Sequence, residues 1–293
     1  VILVKLNGGL GNQLFQYAAG RSLAIRHGTQ LILDSSSLEV RNHRVTQREV
    51  ELVHFSHLGR PASPRELQYS PWLYRMAPFS HWLTPWRTYV EKGLEFNPAF
   101  NTLPDQTCLV GYWQSHRYFS GINNQLMAEF EPIDALSPKS MAVATQIDLS
   151  TSVALHIRRG DYVSLASAAS FHGALPLSYY MAAVARVREC VVEPKFFVFS
   201  DDQEWCRDNL QLGDLATFVD HNSGSDSWQD LVLMGRCRHH VIANSSFSWW
   251  GAWLADQRWG VPRRLVITPA RWFSAQPGHN LSDRFPVHWE MIG

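Results

Sequence analysis

A histidine, two consecutive arginines and an aspartate fall within six residues of the run HIRRGDYV: His156, Arg158, Arg159 and Asp161. The run follows Ser152-Val153-Ala154-Leu155, an apolar stretch that reads as a buried strand. Alternate strand residues share a face, so His156 and Arg158 point one way and Arg159 the other. A guanidinium at a strand end suits a diphosphate, which it meets with forked hydrogen bonds. The competing reading is a structural Arg–Asp ion pair. Four such groups in one short run favour a ligand.

Three more polar clusters close other strands. Asp201-Asp202 follows KFFVFS (195–200). These carboxylates could hold a metal, accept from a ribose or a nucleobase edge, or cap the next helix. Asn244-Ser245-Ser246 follows HHVIA (239–243) and opens a helix through Phe247. Hydroxyls and free amides at a helix start favour an anion, with an ordinary N-cap as the alternative. Gly8-Gly9-Leu10-Gly11 separates a strand from a helix and is followed by Asn12 and Gln13. Glycines there allow close backbone approach to an anion. The G-x-G-x-x-G register is absent, so a nicotinamide oxidoreductase is a distant alternative and a tight turn competes.

These clusters need a scaffold that presents strand ends. Residues 1–6 read as a strand, 14–28 as a helix and 30–33 as a second strand, the unit of a parallel sheet. Prolines at 61, 64, 71, 78, 85, 98 and 104 break the region 40–110, read as short helices and loops inserted into the first domain. CLVGYW (108–113) returns to the sheet. Strands at 152–157, 195–200, 216–220, 239–243 and 264–268 alternate with helices at about 177–192, 226–236 and 247–254. This is α/β alternation of the doubly wound kind, with ligand groups at the carboxyl ends of strands. The proline-bearing FEPIDALSPKS (130–140) marks a boundary. The expected domains are 1–138, on the acceptor side, and 139–293, which binds the donor, facing one another across a cleft.

Composition narrows the function classes. With 45% hydrophobic and 18% charged residues, 293 residues suffice for two folded domains. Lys+Arg and Asp+Glu both number 26, without the basic excess of a nucleic-acid binder. Cys108, Cys190, Cys206 and Cys237 match no zinc spacing and read as reduced thiols. No run reaches the ~18 apolar residues of a membrane span. The aromatic stretch from Pro71 to Trp86 reads as a packed helical subdomain, with peripheral membrane contact as its alternative. The twelve tryptophans fit sugar stacking and core packing equally.

The motifs GGLGNQLFQYAAGRSLA, HIRRGDYV, FSDD and ANSSFSWWGAWL, in this order, resemble the bacterial and animal α-1,2-fucosyltransferases over residues 3 to about 275. The resemblance implies a GT-B-like fold of two Rossmann-like domains and inverting transfer of L-fucose from GDP-β-L-fucose. The acceptor atom is the 2-hydroxyl of a terminal galactose, on an oligosaccharide or glycolipid. No metal or other cofactor is implied. It places Arg158 on the donor β-phosphate and His156 and Asp202 on guanine. Ser245 and Ser246 fall at the diphosphate, with Asn244, Phe247, Gly9, Gly11 and Asn12 also on the donor side. Asp161 is the candidate general base, with bracing of Arg159 as the alternative. Gln13, Trp113, Gln114 and His116 are the candidate acceptor residues, although core packing explains Trp113 equally well. A bacterial, cytoplasmic form is implied, with the inner membrane face as an alternative location. Another GDP-sugar, such as GDP-mannose, or a non-catalytic sugar- or nucleotide-binding module are the alternative functions.

Overall fold

The computed structural model describes residues 1–39, 48–67, 86–160, 173–262, 264–273 and 283–293. The chain divides into two compact units. One comprises Val1–Ile133 with His279–Pro286, the other Asp134–Gly278 with Val287–Gly293.

Unit 1 holds five strands: β1 (Ile2–Lys5), β2 (Leu31–Asp34), β3 (Arg60–Pro61), β4 (Arg87–Val90) and β5 (Thr107–Val110). All pair in parallel, in the order β3-β2-β1-β5-β4. Helix α1 (Leu10–His27) crosses between β1 and β2 and ends at Gly28 in the left-handed region. A mid-helix glycine ordinarily weakens a helix. Gly20 does so for contact: a Cβ there would lie 2.2 Å from Val4 Cγ2. The described residues of the unit also include two short α-helices, α2 (Ser36–Glu39) and α3 (Asn123–Glu129). The region 40–110 therefore contains two strands that its prolines concealed. In β4 both end residues are exposed and the strand lies at the sheet edge, so no apolar alternation announces it. The aromatic stretch 71–85 lies outside the described residues, and the adjoining Trp86 is buried.

Unit 2 holds β6 (Thr151–Ile157), β7 (Pro194–Ser200), β8 (Ala216–Val219), β9 (His239–Val241), β10 (Val266–Pro269) and β11 (Glu290–Ile292). Its sheet is again parallel, in the order β8-β7-β6-β9-β10-β11. Counted within the unit this is 3-2-1-4-5-6, the Rossmann order, which reverses between β6 and β9. Helices α4 (Pro138–Asp148), α5 (Leu177–Cys190), α6 (Gln203–Asn209), α7 (Trp228–Arg236) and α8 (Ser246–Trp259) cover it. Val153, Leu155 and Ile157 of β6 join a core with α5 and α6; Ala154 joins another with α4 and α7. Both units are thus Rossmann-like α/β layers, as a GT-B-like chain requires.

The tryptophans serve largely as core: Trp113, Trp249 and Trp250 are among the largest fully buried side chains. A buried hub fastens the C-terminal strand. Asp256 on α8 accepts from Arg264 Nη1 (2.8 Å), His288 Nε2 (2.9 Å) and Trp289 Nε1 (2.7 Å). No described helix is long and apolar enough to cross a membrane.

Candidate functional site

In an open parallel sheet the strand-end loops diverge where strand order reverses, leaving a crevice. In unit 2 the flanking strands are β6, which runs into His156-Ile157-Arg158-Arg159, and β9, which runs into Asn244-Ser245-Ser246. Two of the clusters singled out by residue type therefore rise side by side.

His156 is 6% exposed and lies on the α4–α7 face, its ring centroid 6.0 Å from that of Phe247. Its Nδ1 is buried and has no hydrogen-bond partner. Burial, aided by the Arg158 charge, pushes its pKa down to about 3, so the imidazole is neutral. The Nη1 of Arg158 meets Asp201 Oδ2 at 3.1 Å. Arg159 turns to the other face, as strand alternation requires. Its guanidinium lies 4.0 Å from the Trp205 ring centroid and its Nε donates to Asp202 at 3.2 Å. Asp201 also accepts from the Arg159 amide at 2.8 Å. A Cβ at Gly160 would approach Asp201 Oδ2 to 2.7 Å, which explains a glycine after the arginines.

Asp202 caps α6 by accepting from the Trp205 amide at 3.2 Å and also holds Arg159, so its capping reading is realised. Asp161 lies outside the described residues. Among the described residues, the carboxylate beside Arg159 is Asp202.

At the end of β9, Asn244 is buried and its Nδ2 donates to the Gly173 and Trp272 carbonyls, both at 3.1 Å. Ser245 is the N-cap of α8, accepting from the Phe247 amide at 3.3 Å. Ser246 begins the helix and is half-buried, as is Phe247. This presents the positive end of a 14-residue helix at the switch point.

In unit 1 the order reverses between β1 and β5, and the Gly loop follows β1. Three amides at the helix start are engaged within the unit: Leu10 donates to Glu51 Oε2 at 2.9 Å, and Asn12 and Gln13 donate to the Gly9 carbonyl. Gly8, at φ +79°, turns the chain, and a Cβ there would lie 2.4 Å from Asn12 Nδ2. At Gly9, Gly11 and Asn12 the geometry is a tight turn with the chain's own carboxylate at the helix start. Gln13 is fully buried, donating to the Gly8 and Glu49 carbonyls and accepting from the Glu51 amide. Trp113 is fully buried among Tyr89, Phe100 and Tyr118. Both side chains are engaged within unit 1. Gln114 is half-buried, donating to Asn12 Oδ1 at 2.7 Å and accepting from Arg284. His116 begins a single turn of 3₁₀ helix.

Two carboxylates escaped the sequence reading. Glu91 follows β4 and accepts from the Tyr112 amide (2.6 Å) and the Trp113 amide (3.0 Å). It thereby holds Trp113 at φ 56°, a left-handed conformation. Only tertiary structure links it to 112–113. Asp230 sits in the first turn of α7, on the stripe of Leu233 and Met234. A carboxylate in an apolar stripe was a readable signal. Among the described residues, no three His, Cys, Asp or Glu side chains come together as a metal site.

Residues 98–268, which include both the HIRRGDYV and ANSSFSWWGAWL motifs, match glycosyl transferase family 11. The chain belongs to this family. It is a glycosyltransferase, and the resemblance carried by the motifs is borne out. Among family 11 relatives, an "Alpha-1,2-colitosyltransferase" of Escherichia coli is 30% identical, covering 100% of this chain and 99% of its own length. The "O-antigen biosynthesis glycosyltransferase WbnK" of Escherichia coli is 29% identical over 97% of this chain and 98% of its own. "Galactoside alpha-(1,2)-fucosyltransferase 1" of Sus scrofa is 26% identical over 85% of this chain and 64% of its own.

Proposed function

We propose that the chain is a galactoside α-1,2-fucosyltransferase. It would move L-fucose from GDP-β-L-fucose, with inversion, to the 2-hydroxyl of a terminal galactose. One arrangement supports the donor half: Arg158 and the start of α8 rise from the two strands that flank the switch point of unit 2. The names of two relatives support the α-1,2 linkage.

On this reading the acceptor hydroxyl attacks the anomeric carbon from the face opposite GDP. Negative charge grows on the β-phosphate as the bond breaks. Arg158, steadied by Asp201, and the α8 start with Ser245 and Ser246 meet that charge with donors already in place. They supply the positive field without a metal. Asp161 takes the acceptor proton. Gln114 and His116 are assigned to the acceptor, and Asn12 to the donor.

A second reading is favoured by the 30% identical relative, named for colitose. Colitose lacks the 3-hydroxyl of fucose, and a site built to hydrogen-bond that hydroxyl discriminates strongly against a donor without it. The test is incubation with GDP-fucose, GDP-colitose or GDP-mannose and lactose in EDTA, followed by mass spectrometry and linkage analysis. A 2-linked fucosyl trisaccharide supports the proposal. Product from GDP-colitose alone selects the second reading, and GDP binding without transfer to any acceptor returns the chain to a binding module.

A further inference from the structure

Arg284 belongs to unit 1 and is 2% exposed, among the largest buried side chains of the chain. The residue before it pins its backbone. Asp283 accepts from Ser115 Oγ at its carbonyl (2.7 Å), from the Phe96 amide at Oδ2 (3.2 Å) and from Arg117 Nη1 at Oδ1 (2.8 Å). Phe285, on the other side, is buried. The guanidinium is thereby delivered to the loops that follow β4 and β5, where the Glu91 carboxylate supports its charge. Burial lowers the Arg284 pKa to about 10, so the group stays a cation at neutral pH.

Arg284 Nη1 donates to Gln114 Oε1, and Gln114 Nε2 donates to Asn12 Oδ1 at 2.7 Å. The direction of this relay is set at its buried end. A guanidinium has donors and no acceptor, whereas a primary amide has one end of each kind in nearly the same shape. Turning Gln114 over would set its NH2 against the guanidinium, donor against donor, and lower the population of that arrangement roughly tenfold or more. Gln114 must therefore show Oε1 to Arg284 and Nε2 to Asn12. Asn12 in turn must show Oδ1 to Gln114, which leaves its Nδ2 facing away. That nitrogen sits over the turn at Gly8, where a Cβ would approach it to 2.4 Å. The turn follows β1, beside the point where strand order reverses in unit 1. Asn12 is half-buried, and among the described residues its Nδ2 has no hydrogen-bond acceptor.

We infer that Arg284 is a positioning residue of the transferase: through Gln114 it holds Asn12 with Nδ2 outward, so that the Gly loop offers an N–H to an oxygen of the sugar nucleotide. This rests on the assignment of Asn12 to GDP-fucose and adds the residue that sets the sense of its amide. The sense matters because phosphate oxygens only accept hydrogen bonds. An outward Nδ2 meets such an oxygen with a donor, and an outward Oδ1 would meet it with a second acceptor. The glycine at position 8 serves the same end, since any side chain there would displace Nδ2. Glu91 and Arg284 are thus the buried, charged end of a relay whose polar end is Asn12, 272 residues away in the chain from Arg284.

The test is calorimetric titration with GDP-fucose, without lactose, of wild type, Asn12→Ala, Gln114→Glu, Arg284→Lys, Arg284→Met and the pair Asn12→Ala with Gln114→Glu, with urea unfolding of each beside it. Asn12→Ala is expected to weaken binding about tenfold. In Gln114→Glu the carboxylate still accepts from Arg284, so the fold is kept, but it cannot donate. Asn12 then turns over to donate to it, and binding falls by a similar factor of about ten. Arg284→Met, which removes the donor, should fall likewise, while Arg284→Lys keeps a cation with donors only and should stay within about threefold of wild type. Since the relay acts through Asn12, Gln114→Glu in the Asn12→Ala background should cost less than about twofold more. A purely structural Arg284 and Gln114 would instead add their full effect there. A folded Gln114→Glu protein that binds as wild type does, or full additivity with Asn12→Ala, overturns the inference and leaves Asn12 on GDP-fucose. An Asn12→Ala protein with wild-type affinity overturns the assignment of Asn12 and the inference with it, and leaves the Arg158 and α8 site standing. A wild type that does not bind GDP-fucose overturns this inference and the donor reading together.

Discussion

Replacing Arg158 by lysine keeps a positive charge at the end of β6 and removes the guanidinium fork. Among the described residues it loosens the ion pair of Nη1 to Asp201 Oδ2 at 3.1 Å, with both side chains about a quarter exposed. Pairs this open to solvent contribute about 0–1 kcal/mol, so the folded protein should survive nearly unchanged. The effect on turnover should be far larger. Removing one preorganised donor from a site of developing negative charge costs about 10²–10³ in kcat, or about 2.7–4 kcal/mol. Lysine restores the charge without the two parallel donors or the orientation set by Asp201, so Arg158→Lys should lose most of that factor and Arg158→Ala all of it. Asp201→Asn, which steadies Arg158 less well, should slow turnover by about tenfold. The assay is initial rates with GDP-fucose and lactose, with urea unfolding of each variant beside it. A folded Arg158→Lys enzyme within threefold of wild type would refute the forked clamp on the β-phosphate.

Asp256→Asn leaves the buried Arg264 without its counter-charge and weakens the grip on His288 and Trp289, so urea unfolding should show a loss of about 3–5 kcal/mol. Acid should destabilise the fold through its buried neutral histidines. The pKa is depressed to about 3 at His156, to about 4 at His239 and well below the usual value at His240, by burial in each case. The unfolded chain binds these protons below about pH 6.5 and the folded chain does not, so stability falls as pH drops through that value. Asp230, raised to about 7, opposes them. Glu91, also raised by burial, joins Asp230, while His57 and His221, also lowered by burial, join the other histidines, so the histidines outnumber the opposing carboxyls and the urea midpoint should fall as pH drops. Gln13→Ala should cost about 2–4 kcal/mol of stability from three lost hydrogen bonds while leaving the KM for lactose unchanged; a raised KM at full stability would restore Gln13 to the acceptor.

The second half of the chain was legible because its strands are largely apolar runs of three to seven residues punctuated by polar turns. Periodicity located β6, β7, β8, β9 and β10 to within a few residues. Residue type at their ends then marked His156, Arg158, Asp201 and Ser245. β4 was not legible, since an exposed edge strand has no apolar face to repeat. The Gly loop carries an electrostatic contact that the sequence does not show. A helix start attracts any carboxylate, and the chain supplies Glu51 from 41 residues away, where sequence shows no partnership.

What the sequence by itself determined is therefore chemistry and local form: which groups can hold a diphosphate, which runs make strands, and, through long motifs, the family. What only the tertiary structure decided is which of those groups are already taken. Asp202 is bound to Arg159 and α6, Gln13 to the segment at 49–51, and Trp113 to an aromatic core. The strand order that sets β6 beside β9 is likewise a long-range fact, with 81 residues between the end of one strand and the start of the next. Hydrogen bonds and ion pairs saturate, so a polar residue's availability depends on every neighbour the fold brings to it, and neighbours distant in the chain leave no periodic trace.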